Sequence, residues 1–96
     1  MNMKQAYVEK VQARLNEWDA EIEKLKARAD KAEADAKIAY LEQIETLREE
    51  QREAQSKLDD LRAAGDDAWE DMKTGVQNAW ASLEKAAKDA SSRFAA

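Results

Sequence analysis

Ninety-six residues permit one domain at most; 39% are charged and 6% aromatic, with two glycines and no proline, cysteine or histidine. The net charge of −5, with both signs interleaved, leaves no basic face for nucleic acid. Lack of histidine and cysteine removes the commonest general base, the usual transition-metal ligands and any disulfide. What remains, rich in Ala, Glu, Lys, Arg and Leu, is the composition of long helices and coiled coils.

From Met3 to Ala64 neither glycine nor proline interrupts a pattern of apolar residues three and four apart. The spacing predicts one helix of roughly 60 residues, about 90 Å long. From Val8 the repeat is a strict heptad. Val8, Leu15, Ile22, Ala29 and Ala36 occupy a, and Val11, Trp18, Leu25, Ala32 and Ala39 occupy d. Such a seam needs a partner helix, so these ten residues are the expected interface between copies of the chain. Two copies are expected to run antiparallel about an axis between Glu23 and Lys24. That register sets Val8 on Ala39, Leu15 on Ala32, Trp18 on Ala29 and Val11 on Ala36, so each bulky residue outside the central Ile22–Leu25 layer meets an alanine.

Near Ala36 the phase slips, and the stripe continues through Tyr40, Ile44, Leu47, Gln51, Ala54, Leu58 and Leu61. Two successive steps of four make a stutter, which locally unwinds a supercoil. Gln51, polar at a core position, reads either as a solvated gap or as a register-fixing layer. The helix is expected to end at Ala64, with Gly65 in the left-handed C′ position and a turn over 65–67. Asp67 and Glu70 have the spacing of a capping box, so a second helix is predicted over 67–92, with a tail at 93–96.

The second helix concentrates Trp69, Met72, Val76, Trp80 and Leu83 on one face, continued by Ala87, Ala90 and Phe94. A short turn makes the two helices antiparallel neighbours. This face is therefore expected to fold back onto Tyr40, Ile44, Leu47, Leu58 and Leu61. Trp69 should lie near Leu58 or Leu61, and Trp80 near the Ile44–Gln51 stretch. Gly75, inside this helix and off its stripe, marks either a close crossing or a tolerated surface position.

Chemistry finds little to build on. No histidine can activate a nucleophile, and no glycine-rich phosphate loop is present. The acidic turn Asp66, Asp67, Glu70 and Asp71 could attract a hard cation, but helix capping accounts for it better. The expectation is a non-enzymatic chain with no cofactor and no metal. No apolar run approaches the ~20 residues of a membrane span. Residues 1–10 lack the apolar core of a secretory signal, so a cytoplasmic location is expected.

The segments AYVEKVQARLNEWDAEIEKLKARADKAEADAKIAY and GDDAWEDMKTGVQNAWASLEKA resemble a group of small, mostly uncharacterised bacterial coiled-coil proteins, over nearly the whole chain. That resemblance implies a helical fold and supplies no catalytic residue. More weakly, the second helix is similar to apolipoprotein-type and phasin-like amphipathic helices, which implies a lipid or apolar surface as a partner.

Together these readings predict an all-α protein. A long coiled-coil helix carries a shorter helix folded back on it as a helical hairpin, and the chain is oligomeric. Its partner would be itself, as a dimer or tetramer, or another protein, in a scaffolding or interaction role. The alternative is a peripheral binder of lipid or apolar surfaces through Trp69 and Trp80, where tryptophan is favoured.

Overall fold

The computed structural model describes residues 2–94, excepting the side chains of Ser91, Arg93 and Phe94. It is all-α. The helices are α1 (Met3–Lys31), α2 (Ala34–Ala63) and α3 (Trp69–Phe94), with no strand among the described residues. α2 packs against both α1 and α3 in an antiparallel bundle of 51 × 20 × 19 Å.

The expected single helix from Met3 to Ala64 is therefore two. Ala32 (φ −83°, ψ 156°) and Glu33 (φ −69°, ψ 161°) are both extended, and they reverse the chain without a glycine or proline. The break falls among the alanines from Ala29 to Ala39, beside the stutter, where a straight helix has least to lose. What it gains is intrachain cover for the seam. Leu15, Ile22 and Ala29 are at most 1% exposed within one chain, and Val8 is 9% exposed. The a–d′ register about Glu23 and Lys24 needs one straight helix from Val8 to Ala39, and the reversal at Ala32–Glu33 removes that helix. Val11, Trp18 and Leu25 pack partly buried on the same core; Ala32 and Ala39 are half-buried and Ala36 is exposed.

Backbone hydrogen bonds close the last turn of α1 and open the first turn of α2, which has no side-chain cap. Ala32 N–H donates to Ala29 O at 3.1 Å, and Lys37 N–H donates to Glu33 O at 2.7 Å. Arg28 and Lys31 lie in the last turn of α1 and Asp35 in the first turn of α2, each suited to the local dipole. At the opposite end Asn2 forms a capping box with Gln5. Lys4 Nζ reaches across to Ala64 O at 2.7 Å, holding an orphan carbonyl at the end of α2.

Polar side chains hold the α1–α2 register. Gln51 Nε2 donates to Leu15 O at 3.2 Å and to Asp19 Oδ1 at 2.6 Å, so this polar core position ties two helices together. Arg48 meets Glu23 at 3.3 Å further along the same seam.

The second turn also differs from expectation. Gly65 has no positive φ, since α2 ends in an extended Ala64 that needs no left-handed residue. Gly65 O instead accepts from Ala68 N–H and Trp69 N–H at 3.0 and 3.2 Å and starts α3. α3 begins at Trp69 rather than Asp67, with Glu70 and Asp71 in its first turn. It continues through Phe94, into the expected tail. The expected place of Phe94 on the stripe and residues 95–96 of the tail lie outside the described residues.

The core contains Leu47, Leu58 and Leu61 of α2 with Val76 and Leu83 of α3, all at most 1% exposed, and Ile44 and Trp69 at 6%. Each fully buried aliphatic side chain contributes roughly 1.5–3 kcal/mol. Tyr40, Met72 and Trp80 pack partly buried against this cluster.

Candidate functional site: an aromatic groove between α1 and α3

α1 and α3 lie side by side on α2 and run the same way, with backbones further from each other than either is from α2. Aromatic side chains hold them apart. The rings of Tyr7 and Trp69 meet at 6.0 Å with a 44° tilt. Eleven residues further along each helix, Trp18 and Trp80 meet edge to face at 6.5 Å. Three helical turns separate the two contacts, so both fall on one line along the bundle.

Between and beside these pairs the seam stays open as a groove. Its upper part is lined by Tyr7, Lys10, Val11, Arg14, Val76, Gln77 and Trp80, around a cavity of about 210 Å³. Below it, Arg14, Glu17, Trp18 and Glu21 of α1 face Trp80 and Glu84 of α3. Lys85 and Lys88 border the last stretch. The floor is apolar and the lips are charged in bands. Lys10, Arg14 and Lys73 are followed by Glu17, Glu21 and Glu84, then by Lys85 and Lys88.

The aromatic floor is polarised by its neighbours. Lys73 Nζ stands over both rings of the first pair, 5.4 Å from Tyr7 and 4.7 Å from Trp69. Burial pushes the Tyr7 hydroxyl above its ordinary pKa of 10.0. Trp80 Nε1 donates to the Glu84 carboxylate one turn later, which satisfies the indole at the rim.

Trp69 shares its core cluster with Leu58 and Leu61, and α1 adds neighbours that the sequence did not lead one to expect. The aromatic partners of Trp69 and Trp80 are Tyr7 and Trp18 on α1, because the break at Ala32–Glu33 brings α1 back as a third member of the bundle. Tyr7, Lys10, Arg14, Glu17 and Gln77 were not legible as site residues. Tyr7 shares the helical face of Val11 and Trp18, which was the only sequence signal for it. Elsewhere, Asp66 and Asp67 are exposed in the turn, and no three acidic residues converge for a metal ion among the described residues. No described helix is long and apolar enough to cross a membrane.

Comparisons with protein-family models, with curated proteins and with solved structures found no match. The geometry of the groove therefore carries the functional reading.

Proposed function

We propose that this chain is a non-enzymatic helical interaction protein of scaffolding type, whose contact surface is the α1/α3 groove. The observation behind this reading is the groove itself: an apolar, aromatic floor left open to solvent between two parallel helices and bordered by alternating charge. Half-buried aromatics inside a polar rim are the usual anatomy of a protein-binding surface. A cytoplasmic location fits the same reading.

A photo-crosslinking residue at Val11, on the floor, tests this against the same residue at Asp60, an exposed position of α2. In the source cell, Val11 is expected to label protein and Asp60 to label little. Equal labelling at both positions would overturn the groove as the contact surface.

The second reading is a lipid or apolar surface bound through Trp69 and Trp80. Trp69 is only 6% exposed and packs against the tilted ring of Tyr7, so this reading requires α3 to leave the bundle. Liposome co-sedimentation with a blue shift of tryptophan emission would favour it.

A further inference from the structure

Resting on the groove as the contact surface, we propose that its occupant is a second copy of this chain, packed groove on groove with α1 antiparallel to α1 of the partner. The outer lip of α1 is self-complementary in charge. Lys10, Arg14, Glu17 and Glu21 are spaced four, three and four apart, so they form one row along the helix. All four are exposed, and among the described residues Lys10, Arg14 and Glu17 have no ion-pair partner. Glu21 has only an exposed contact with Lys24 at 3.4 Å.

Two cations followed by two anions complement themselves when reversed. In the antiparallel register whose paired numbers add to 31, Lys10 meets the partner's Glu21 and Arg14 meets the partner's Glu17, each twice by symmetry. A parallel, in-register pair would set like charge on like throughout.

α3 agrees with this axis independently. Both aromatic pairs join an α1 residue to the α3 residue 62 positions later. The axis, between Leu15 and Asn16, therefore crosses α3 between Gln77 and Asn78. Lys73 and Glu84 are reciprocal about a point one residue further on, a difference of about 1.5 Å. Glu84 lines the groove and Lys73 stands over the Tyr7 ring at its upper end, and they would pair with the partner's Lys73 and the partner's Glu84. Exposed Ala81 lies near the axis, where a small side chain permits close approach.

The row continues into Lys24 and Arg28, which allows a second antiparallel register, Glu17 with Arg28 and Glu21 with Lys24. Two features decide against it. It leaves Lys10 and Arg14 unpaired and moves the axis towards the end of α1, so the helices overlap over residues 14–31 only. It also slides the Tyr7–Trp18 floor off its counterpart. The first register overlaps residues 3–28 and brings Val11 of one copy beside Trp18 of the other, covering the floor that one chain leaves open.

The test is sedimentation equilibrium of the full chain, with Arg14→Glu and Glu17→Arg as separate variants. The wild-type chain is expected to dimerise, and more weakly as salt rises. Each variant alone should lose dimer affinity by roughly tenfold or more, since like charges then face each other. An equimolar mixture should recover it, because in the mixed dimer positions 14 and 17 again carry opposite charges wherever they meet. At a concentration where the wild-type chain is monomeric, melting curves of the separate variants should match wild type, as both positions are exposed. For direction, the chain has no cysteine, so Lys10→Cys and Glu21→Cys copies joined by a short bis-maleimide should cross-link to each other and not to themselves. Self-linking of Lys10→Cys would overturn the antiparallel arrangement. A dimer indifferent to the swaps would overturn the register and place the interface elsewhere, with the exposed pair Ile38 and Leu41 the first alternative. A chain monomeric at every concentration would overturn the second copy as occupant and leave the groove reading to the Val11 cross-link.

Discussion

The side-chain amides of Gln12 and Gln55 exchange two hydrogen bonds across the α1–α2 seam, at 2.9 and 2.8 Å. Arg62 adds a third contact on Gln12 Oε1 at 3.2 Å, and Asp59 accepts from Gln55 at 3.0 Å. This reciprocal pair joins residues 43 apart, so it forms only in the reversed chain. Gln12→Ala and Gln55→Ala should each destabilise by about 1 kcal/mol. The double variant should cost less than their sum, with a coupling of about 0.5 kcal/mol or more. Urea denaturation of the four proteins measures it, and additive losses would show that the register is not held there.

The reversal at Ala32–Glu33 makes an unusual substitution tolerable. Glu33 already has φ −69°, close to that of proline, and the preceding Ala32 is extended, as proline requires. Its N–H makes no backbone hydrogen bond among the described residues. Glu33→Pro should therefore leave stability unchanged or raise it by about 0.4–1 kcal/mol. In an unbroken helix the same change would cost about 3 kcal/mol. Thermal melting distinguishes the two outcomes.

Gly75 stands inside α3 with room to spare. A β-carbon there would lie 3.8 Å from Lys57 Cδ, an ordinary contact with a flexible side chain. Close crossing therefore does not demand glycine, and Gly75→Ala should stabilise by about 0.5–1 kcal/mol. A fall in melting temperature would show that the helices approach more closely here than the geometry indicates.

Trp69 and Trp80 should differ in their energetic weight. Trp69 is buried under Tyr7 and Lys73, and Trp69→Ala should cost about 3–5 kcal/mol. Trp80 is half-buried at the groove, so Trp80→Ala should cost clearly less in a monomer. Chemical denaturation at low protein concentration is the appropriate measurement, because it keeps association out of the comparison. Equal losses would contradict the asymmetry of the two pairs.

Tyr7 links stability to alkaline pH. Burial raises its folded-state pKa above the unfolded 10.0, so the folded protein favours the protonated phenol. That contribution is fully present below pH 10.0 and is lost as pH rises through the higher folded value. Tyr7→Phe should therefore reduce the loss of stability above about pH 10, read from melts across that range. An unchanged alkaline slope would show that Tyr7 is not the group responsible.

The helical content and the apolar positions were legible in the sequence, because heptad spacing and the absence of proline act within a few residues. Leu15, Ile22, Leu47, Leu58, Leu61, Val76 and Leu83 stand on the predicted stripes and lie in the core. The partner of the first stripe was not legible. A heptad says which face is apolar; it does not say whether another copy or the same chain covers that face. Two extended residues at Ala32 and Glu33 supply the second answer, and they carry no glycine or proline to announce it. Once α2 is tethered beside α1, its effective concentration greatly exceeds that of any free copy, so intrachain cover wins. The groove followed from the same decision. Tyr7, Lys10 and Arg14 become neighbours of Val76, Gln77 and Trp80 only when both α1 and α3 rest on α2. That juxtaposition belongs to the tertiary structure, since no spacing along the chain encodes it.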